Sequence, residues 1–280
     1  MNGLAALAEK KQRGERIVMI TAYDYPSARI VESAGVDVVL AGDSAATTVL
    51  GYETTRAVSI DEMLMLTRAV RRGLHATLLI GDLPFGTYED ADEHAVESAR
   101  RFMEAGCDAV KLEGGHEIAS RAAAIVRAGI PVMGHLGLTP QQVVTPDGYR
   151  AQGRDAASAR AIVEQAVAFE RAGCTALVVE AVPPSVTEVV MSRVHVPVIG
   201  IGAGPETDGQ VLVYHDLLGL LDARPAKFVK RYGQFAPEIT RAVRSYADEV
   251  RAASYPGAEH TYSMPPDELA RFRDFVRRGA

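Results

Sequence analysis

Short apolar runs recur along this chain, and several break into polar residues at their C-terminal ends. Val38-Val39-Leu40-Ala41 runs into Gly42-Asp43-Ser44, Thr77-Leu78-Leu79-Ile80-Gly81 into Asp82, and Ala109-Val110 into Lys111-Leu112-Glu113. A run apolar at every position reads as a strand buried on both faces, as in parallel sheets. Ile17–Thr21, Pro131–His135, Thr175–Glu180 and Pro197–Ile201 read the same way. Gln210–His215 fits a strand better than a helix.

Between these runs lie helical patterns, several closed by Ala-Gly, as at Gly35, Gly129 and Gly173. A leading helix is predicted over about 2–13. Ser59-Ile60-Asp61-Glu62 is a capping box that opens another. Further helices are predicted over 90–105, 156–172 and 183–193. A long one over 227–253 is interrupted near Gly233-Gln234, and a last one covers 267–278 behind a turn-rich tail from about 256. Residues 45–58 read as a helix-poor connection. Residues 136–155, with Pro140, Pro146, Gly148 and Gly153, form the longest irregular stretch. Strand and helix alternate about eight times with no linker, which predicts a single domain over 1–280. Count and length favour a (β/α)8 barrel over a doubly wound sheet.

The chain has 280 residues and a formal net charge of -6, which argues against nucleic acid as a partner. No apolar run approaches the roughly 20 residues of a membrane span. Cys107 and Cys174, each in Ala-Gly-Cys before a strand, read as small buried hydrophobes in a reducing cytoplasm.

Chemistry concentrates at the strand ends, where α/β barrels carry their sites. Asp43, Asp82 and Glu113 would face one another across the barrel mouth. Carboxylates that close in a low-dielectric pocket imply a cation, and oxygen-only donors point to Mg2+ before Mn2+ or zinc. A 2-oxo acid could chelate such an ion, and its enolate would be stabilised there. Lys111 lies two residues before Glu113 and faces the same side. It reads either as a cation for the substrate or as an internal ion pair with Glu113 or Asp82. Ser44 reads as a substrate contact or a turn cap. Glu180, after four apolar residues, is a candidate general acid/base or a buried structural pair. His135 reads as a hydrogen-bond donor behind the ligands or as a structural histidine; His215 and His260 have weaker cases. Gly200-Ile201-Gly202-Ala203-Gly204 has the look of a phosphate-cradling loop, or of a close backbone approach.

A set of motifs then makes the chain resemble the ketopantoate hydroxymethyltransferase family from about Ile20 to His260. They are Ile20-Thr21-Ala22-Tyr23-Asp24, Gly42-Asp43-Ser44, Asp82-Leu83-Pro84-Phe85, Val110–Gly115, Gly134–Gln141, Gln152-Gly153-Arg154, Glu180, Gly200–Gly204 and Asp208-Gly209-Gln210. The resemblance implies a barrel of the phosphoenolpyruvate mutase/isocitrate lyase-like group. It implies transfer of a hydroxymethyl group from 5,10-methylenetetrahydrofolate to 3-methyl-2-oxobutanoate, giving 2-dehydropantoate and tetrahydrofolate through an Mg-stabilised enolate. By that likeness Asp43 and Asp82 hold Mg2+, with Glu113 completing its surroundings directly or through water. Ser44 and Lys111, beside Asp43 and Asp82, bind the oxo acid, and Glu180 is the acid/base. The resemblance further implies pantothenate and coenzyme A biosynthesis, and a homo-oligomer, usually a decamer. The chain departs from the family's common pattern at Ala45-Ala46-Thr47, Ala57 and Met65-Leu66, and in a tail that runs beyond His260.

Two rival readings follow from the same residues. A C–C lyase or mutase of this barrel group would commonly carry a lysine-cysteine-glycine-histidine loop, which is absent here. A non-catalytic paralogue would have lost an acid or Lys111, and all are present.

Overall fold

The computed structural model describes residues 3–143, 149–221 and 225–279. Asn2 at the head of the leading helix, Pro146 and Gly148 of the irregular stretch, and the final Ala280 lie outside them. Eight parallel strands close into a barrel in sequence order: β1 Ile17–Thr21, β2 Val38–Ala41, β3 Leu78–Asp82, β4 Ala109–Glu113, β5 Val132–Gly137, β6 Ala176–Glu180, β7 Val198–Ile201 and β8 Gly209–Leu212. The helices between them include α2 Tyr25–Ser33, α4 Ile60–Gly73, α5 Asp92–Glu104, α6 Ile118–Arg127, α7 Ala156–Arg171 and α8 Pro184–Arg193. Preceding β1 is α1 Gly3–Gln12, and two short helices, α3 Ala45–Thr48 and α9 Tyr214–Leu218, follow β2 and β8. The capping box forms: Ser59 and Glu62 exchange side-chain-to-backbone bonds at the start of α4.

Two apolar layers follow from the period-2 geometry of strands. One fills the barrel: Met19, Val38, Leu40, Ile80, Ala109, Met133, Ala176, Val178, Ile199 and Val211, joined at one end by Leu4 and Leu7 of α1. The other lies between barrel and helices and includes Val39, Leu79, Val110, Leu112, Leu177 and Val179 with Phe102 and Phe169. This alternation decides which polar residues point inward. Counting on by two from inward apolar residues gives Ile80 to Asp82, Ala109 to Lys111 and Glu113, Met133 to His135, and Val178 to Glu180. The glycine at 81 is needed on the outer face, where a Cβ would run into the ring of Phe102.

The structure differs from the sequence expectations at four places. The 45–58 connection holds α3 and a 3-10 turn at Thr55–Ala57. Gln210–His215 is divided: β8 ends at Leu212, and α9 begins at Tyr214, whose N–H is accepted by Thr21 Oγ1. The long helix expected from Lys227 begins only at Phe235. Residues 227–234 are not helical, and Val229 N–H closes a turn on Ala226. The chain also divides into two compact units, 1–233 and 234–280, so the second begins well before the tail expected from 256. That second unit contains α10 Phe235–Arg251, a turn at Ala258–His260 and α11 Pro266–Arg277.

Candidate active site

Strand register places the inward polar residues side by side. Asp82 pairs with Lys111 across β3 and β4, Glu113 with His135 across β4 and β5, and Glu180 with Gly137 across β5 and β6. Gly137 has φ 93°, and any Cβ there would strike the Glu180 carbonyl, so glycine lets the two strand ends meet. Asp43 and Ser44 reach the same end from the turn after β2. Together they line a cavity of about 110 Å3 whose apolar wall includes Leu40, Val178, Ile201 and Val211.

Asp43, Asp82, Lys111, Glu113 and His135 are all buried. Lys111 Nζ lies 2.7 Å from Asp82 Oδ1 and 3.6 Å from Glu113 Oε2. The second Asp82 oxygen accepts the Asp43 backbone N–H at 3.0 Å. Glu113 is held by His135 Nδ1 at 2.8 Å and the Gln141 N–H at 2.6 Å. The other His135 nitrogen lies 3.2 Å from Glu180 Oε2, so the imidazole stands between two carboxylates. Ser44 makes no side-chain cap on α3; its hydroxyl shares a hydrogen bond with Tyr23 OH at 2.8 Å.

The electrostatics follow from this crowding. Burial, then the charges of Asp82 and Glu113, push Asp43 well above the usual carboxylate range. Asp82 is also raised, chiefly by burial, although Lys111 pulls the other way. Burial opposes the charge of Glu113, but His135, Lys111 and the Gln141 N–H together hold it below its ordinary value. Burial and Lys111 oppose the charge on His135, yet Glu113 and Glu180 prevail and push it up to about 9. Burial likewise disfavours the Lys111 ammonium, and Asp82, Glu113 and Asp43 outweigh it, so lysine stays charged.

Three neighbours carried no role in the sequence reading. Gln141 donates from Nε2 to Asp43 Oδ2 at 2.9 Å and to the Leu83 carbonyl at 3.0 Å, so one side chain ties the acid after β2 to the backbone just after β3. Buried Tyr88 OH lies 2.6 Å from Gln141 Oε1 and 2.8 Å from the Glu113 carbonyl. Arg56 donates to the Gln141 carbonyl at 2.6 Å. Gln141 stood inside a recognisable motif; nothing in the sequence marked Tyr88 or Arg56. His215 sits on α9 beside the Tyr23 ring, His260 belongs to the second compact unit, and Gly202 and Gly204 line an outer cavity.

The donor set fits a hard cation only in part. Asp43 and Asp82 present carboxylates to one cavity, and Mg2+ is commonly held by one or two carboxylates with water completing its shell. Both oxygens of Asp82 and both of Glu113 already have protein partners, so an ion there would reach either acid by displacing such a contact or through water. Among the described residues no group of three or more His, Cys, Asp and Glu side chains is arranged to ligate a metal directly.

Comparison with known proteins bears on what this arrangement serves. The family model described as ketopantoate hydroxymethyltransferase matches residues 2–258. The chain is 51% identical over 262 residues to the 3-methyl-2-oxobutanoate hydroxymethyltransferase of Oleidesulfovibrio alaskensis, covering 93% of this chain and 91% of that one. It is 49% identical over 277 residues to a mitochondrial enzyme of that name from Arabidopsis thaliana, covering 96% and 80%. Among solved structures, a phosphonopyruvate hydrolase complex with oxalate and Mg++ superposes with TM-score 0.61 at 16% identity, covering 99% and 97% of the two chains. A 2,3-dimethylmalate lyase of the PEP mutase/isocitrate lyase superfamily gives 0.56 at 16%, covering 99% and 96%. At such identities these structures speak to the fold alone, which is the barrel of that group.

Proposed function

Because the chain belongs to the ketopantoate hydroxymethyltransferase family, we propose that it transfers a hydroxymethyl group from 5,10-methylenetetrahydrofolate to 3-methyl-2-oxobutanoate. The observation that carries this reading is the meeting of Asp43, Asp82, Lys111, Glu113 and Glu180 around one small cavity. Mg2+, held by Asp43 and Asp82 with Glu113 behind water, would supply Lewis-acid polarisation of the keto group.

The chain's own residues do the rest. Lys111, kept charged by its acids, faces the oxo acid's developing negative oxygen. Ser44, oriented by Tyr23, offers a hydroxyl to the substrate. Gln141 and His135 hold Asp43 and Glu113 in place. Glu180, against His135, carries protons: the C3–H bond of the oxo acid breaks, and the donor's methylene carbon is released from both nitrogens. Water supplies the new hydroxyl oxygen. The C3 proton and the two water protons end on that hydroxyl and the donor's two nitrogens, which balances the reaction. The apolar wall takes the branched methyl groups.

The same reading places the protein in pantothenate and coenzyme A synthesis in the cytoplasm; the buried free thiols of Cys107 and Cys174 suit a reducing compartment. No helix among the described residues is long and apolar enough to cross a membrane. It also makes the protein a homo-oligomer, a decamer by family likeness. In support, α10 exposes Phe235, Ile239, Val243, Tyr246 and Val250 along one stripe, a face suited to a second copy. Two assays test the reading: tetrahydrofolate formation with 3-methyl-2-oxobutanoate, and solvent deuterium exchange at its C3 without folate. Absence of both in folded protein with Mg2+ would overturn it.

A further inference from the structure

Strand β6 departs from the period-2 rule directly after Glu180. Counting on from Val178 and Glu180 would point Val182 into the barrel and Ala181 outward. The structure breaks this count: Val182 joins the layer between barrel and helices, while Ala181 is buried in a separate cluster with Leu138 and Val143. The cause is the backbone of Ala181, whose φ of 49° lies in the left-handed region. Among the described residues only one other non-glycine, Ala253, has a positive φ; it is exposed and follows the last turn of α10, where such a residue is ordinary. Ala181 instead follows a buried strand, and alanine adopts this conformation at a cost in stability. Three hydrogen bonds to separate segments impose it. The Glu180 carbonyl accepts the Leu138 N–H at 2.9 Å, the Ala181 N–H donates to the Ile201 carbonyl at 2.8 Å, and the Ala181 carbonyl accepts the Gln152 N–H at 2.8 Å. Glu180 is thereby the last residue of this stretch to line the inner cavity; neither Ala181 nor Val182 lines it.

We infer that Ala181 is a positioning residue for Glu180: its left-handed backbone turns the chain away from the oxo-acid cavity directly after the acid, and its Cβ confines that turn so that the carboxylate stays against His135. The inference rests on the proposed role of Glu180 in proton transfer and adds the device that aims it. Glycine would take up the same φ without strain, but it would also open the wide range of backbone angles that a Cβ closes. The alanine methyl is buried with Leu138 and Val143, so the strained residue is held through both backbone and side chain. Strain of this kind persists only where the surroundings over-determine it, and it clusters at reacting centres. Glu180 Oε2 stands 3.2 Å from His135 Nε2, a contact that a swing of the strand end would break.

The test compares steady-state kinetics of the wild type, Ala181→Gly and Ala181→Ser. The glycine variant is expected to lose about tenfold in kcat, since a small misplacement of a reacting group costs that much or more, with KM for the oxo acid within about twofold. Its thermal midpoint should stay within about 3 °C of wild type or rise, because relief of strain offsets the added freedom of the unfolded chain. Serine restores the Cβ and its restriction, so Ala181→Ser should keep kcat within about twofold of wild type. In a Glu180→Gln background, adding Ala181→Gly should change the residual kcat by less than about twofold, since the group being aimed is already gone. A glycine variant with wild-type kcat, a serine variant as slow as the glycine one, or an undiminished glycine effect in the Glu180→Gln background would overturn this inference and leave the reaction standing. A wild type that forms no tetrahydrofolate would instead remove the reaction beneath it.

Discussion

At the N-terminal rim of the barrel, Asp37, Asp108 and Asp208 each accept a backbone N–H from a neighbouring strand. The donors are Val18, Leu79 and Val198, at 2.9, 2.9 and 2.8 Å. Each carboxylate also faces a cation: Lys10 at 2.5 Å, Arg71 at 3.6 Å and Lys11 at 3.0 Å. Glu32 accepts three successive N–H groups, from His75, Ala76 and Thr77, and Glu170 accepts two. At the opposite rim Asp43 and Asp82 are buried against each other and against Glu113, and burial raises both. The residue types are the same at the two ends, but the surroundings are reversed. At the bottom, acids satisfy orphan backbone donors and hold strand starts together. At the mouth, acids are crowded beyond what packing needs, as expected where charge is kept for chemistry.

The largest expected effect comes from relieving that crowding. Asp43→Asn keeps the shape and can still accept from Gln141 Nε2, but it removes a charge that burial and two neighbours disfavour. Hydroxymethyl transfer should fall by about 10³-fold or more, the scale of losing one preorganised charge at a reacting centre. The thermal midpoint should hold or rise. A large drop in the midpoint would mean that the mouth acids are structural, and the contrast between the two ends would fail.

Gln141→Leu should act more moderately. It removes the hydrogen bonds to Asp43 and the Leu83 carbonyl and leaves Tyr88 OH without one partner, while the Gln141 backbone bond to Glu113 survives. A loss of about 10–100-fold in kcat is expected, with a cost of about 1–2 kcal/mol in stability. Equal activity in steady-state assays would show that Asp43 is positioned without it.

Glu32 tests the other end. Partial burial opposes its charge, but three N–H donors hold its pKa down to about 2 against an ordinary 4.5. A depressed folded-state pKa contributes stability that is complete above about 4.5 and is lost as pH falls toward about 2. Glu32→Gln should therefore destabilise by about 1–2 kcal/mol at pH 7, after allowance for its partial exposure, with turnover per folded molecule unchanged. The difference from wild type should shrink in denaturant titrations between pH 4.5 and 2. A constant difference across that window would assign its role to shape instead of charge.

How much of this was legible depends on how far the information travels along the chain. The apolar runs and their terminal acids are local, and the period-2 rule carries Ile80 to Asp82 or Met133 to His135 without any tertiary knowledge. Barrel closure then follows from alternation and length. What stayed hidden is made by closure itself. Tyr88 reaches Gln141 across 53 residues and Arg56 reaches it across 85, through loops with no periodic signal. The helix expected from Lys227 was read as interrupted near Gly233-Gln234, and it begins only after that break, at Phe235. Ala-Gly-Val-Asp precedes β2 and Ala-Gly-Cys-Asp precedes β4, but the sequence reading gave these aspartates no role. Only the register shows that both aspartates accept an N–H from the preceding strand.

Asp108 allows the finest division of the comparison, because its hydrogen bond and its charge can be separated. Asp108→Asn retains a carbonyl oxygen for the Leu79 N–H and loses the attraction to Arg71, a partly exposed pair at 3.6 Å. Such a pair is worth a few tenths of a kcal/mol, and added salt should erase most of it. Asp108→Ala also leaves the Leu79 N–H without its acceptor at the strand start, for a total of about 1–2 kcal/mol. Denaturant unfolding of both variants at low and high salt therefore separates the two contributions. If Asn costs as much as Ala, charge governs the bottom rim as it does the mouth. If Asn stays close to wild type, the bottom acids serve as backbone acceptors whose ionisation is secondary, and uncompensated charge is confined to the mouth.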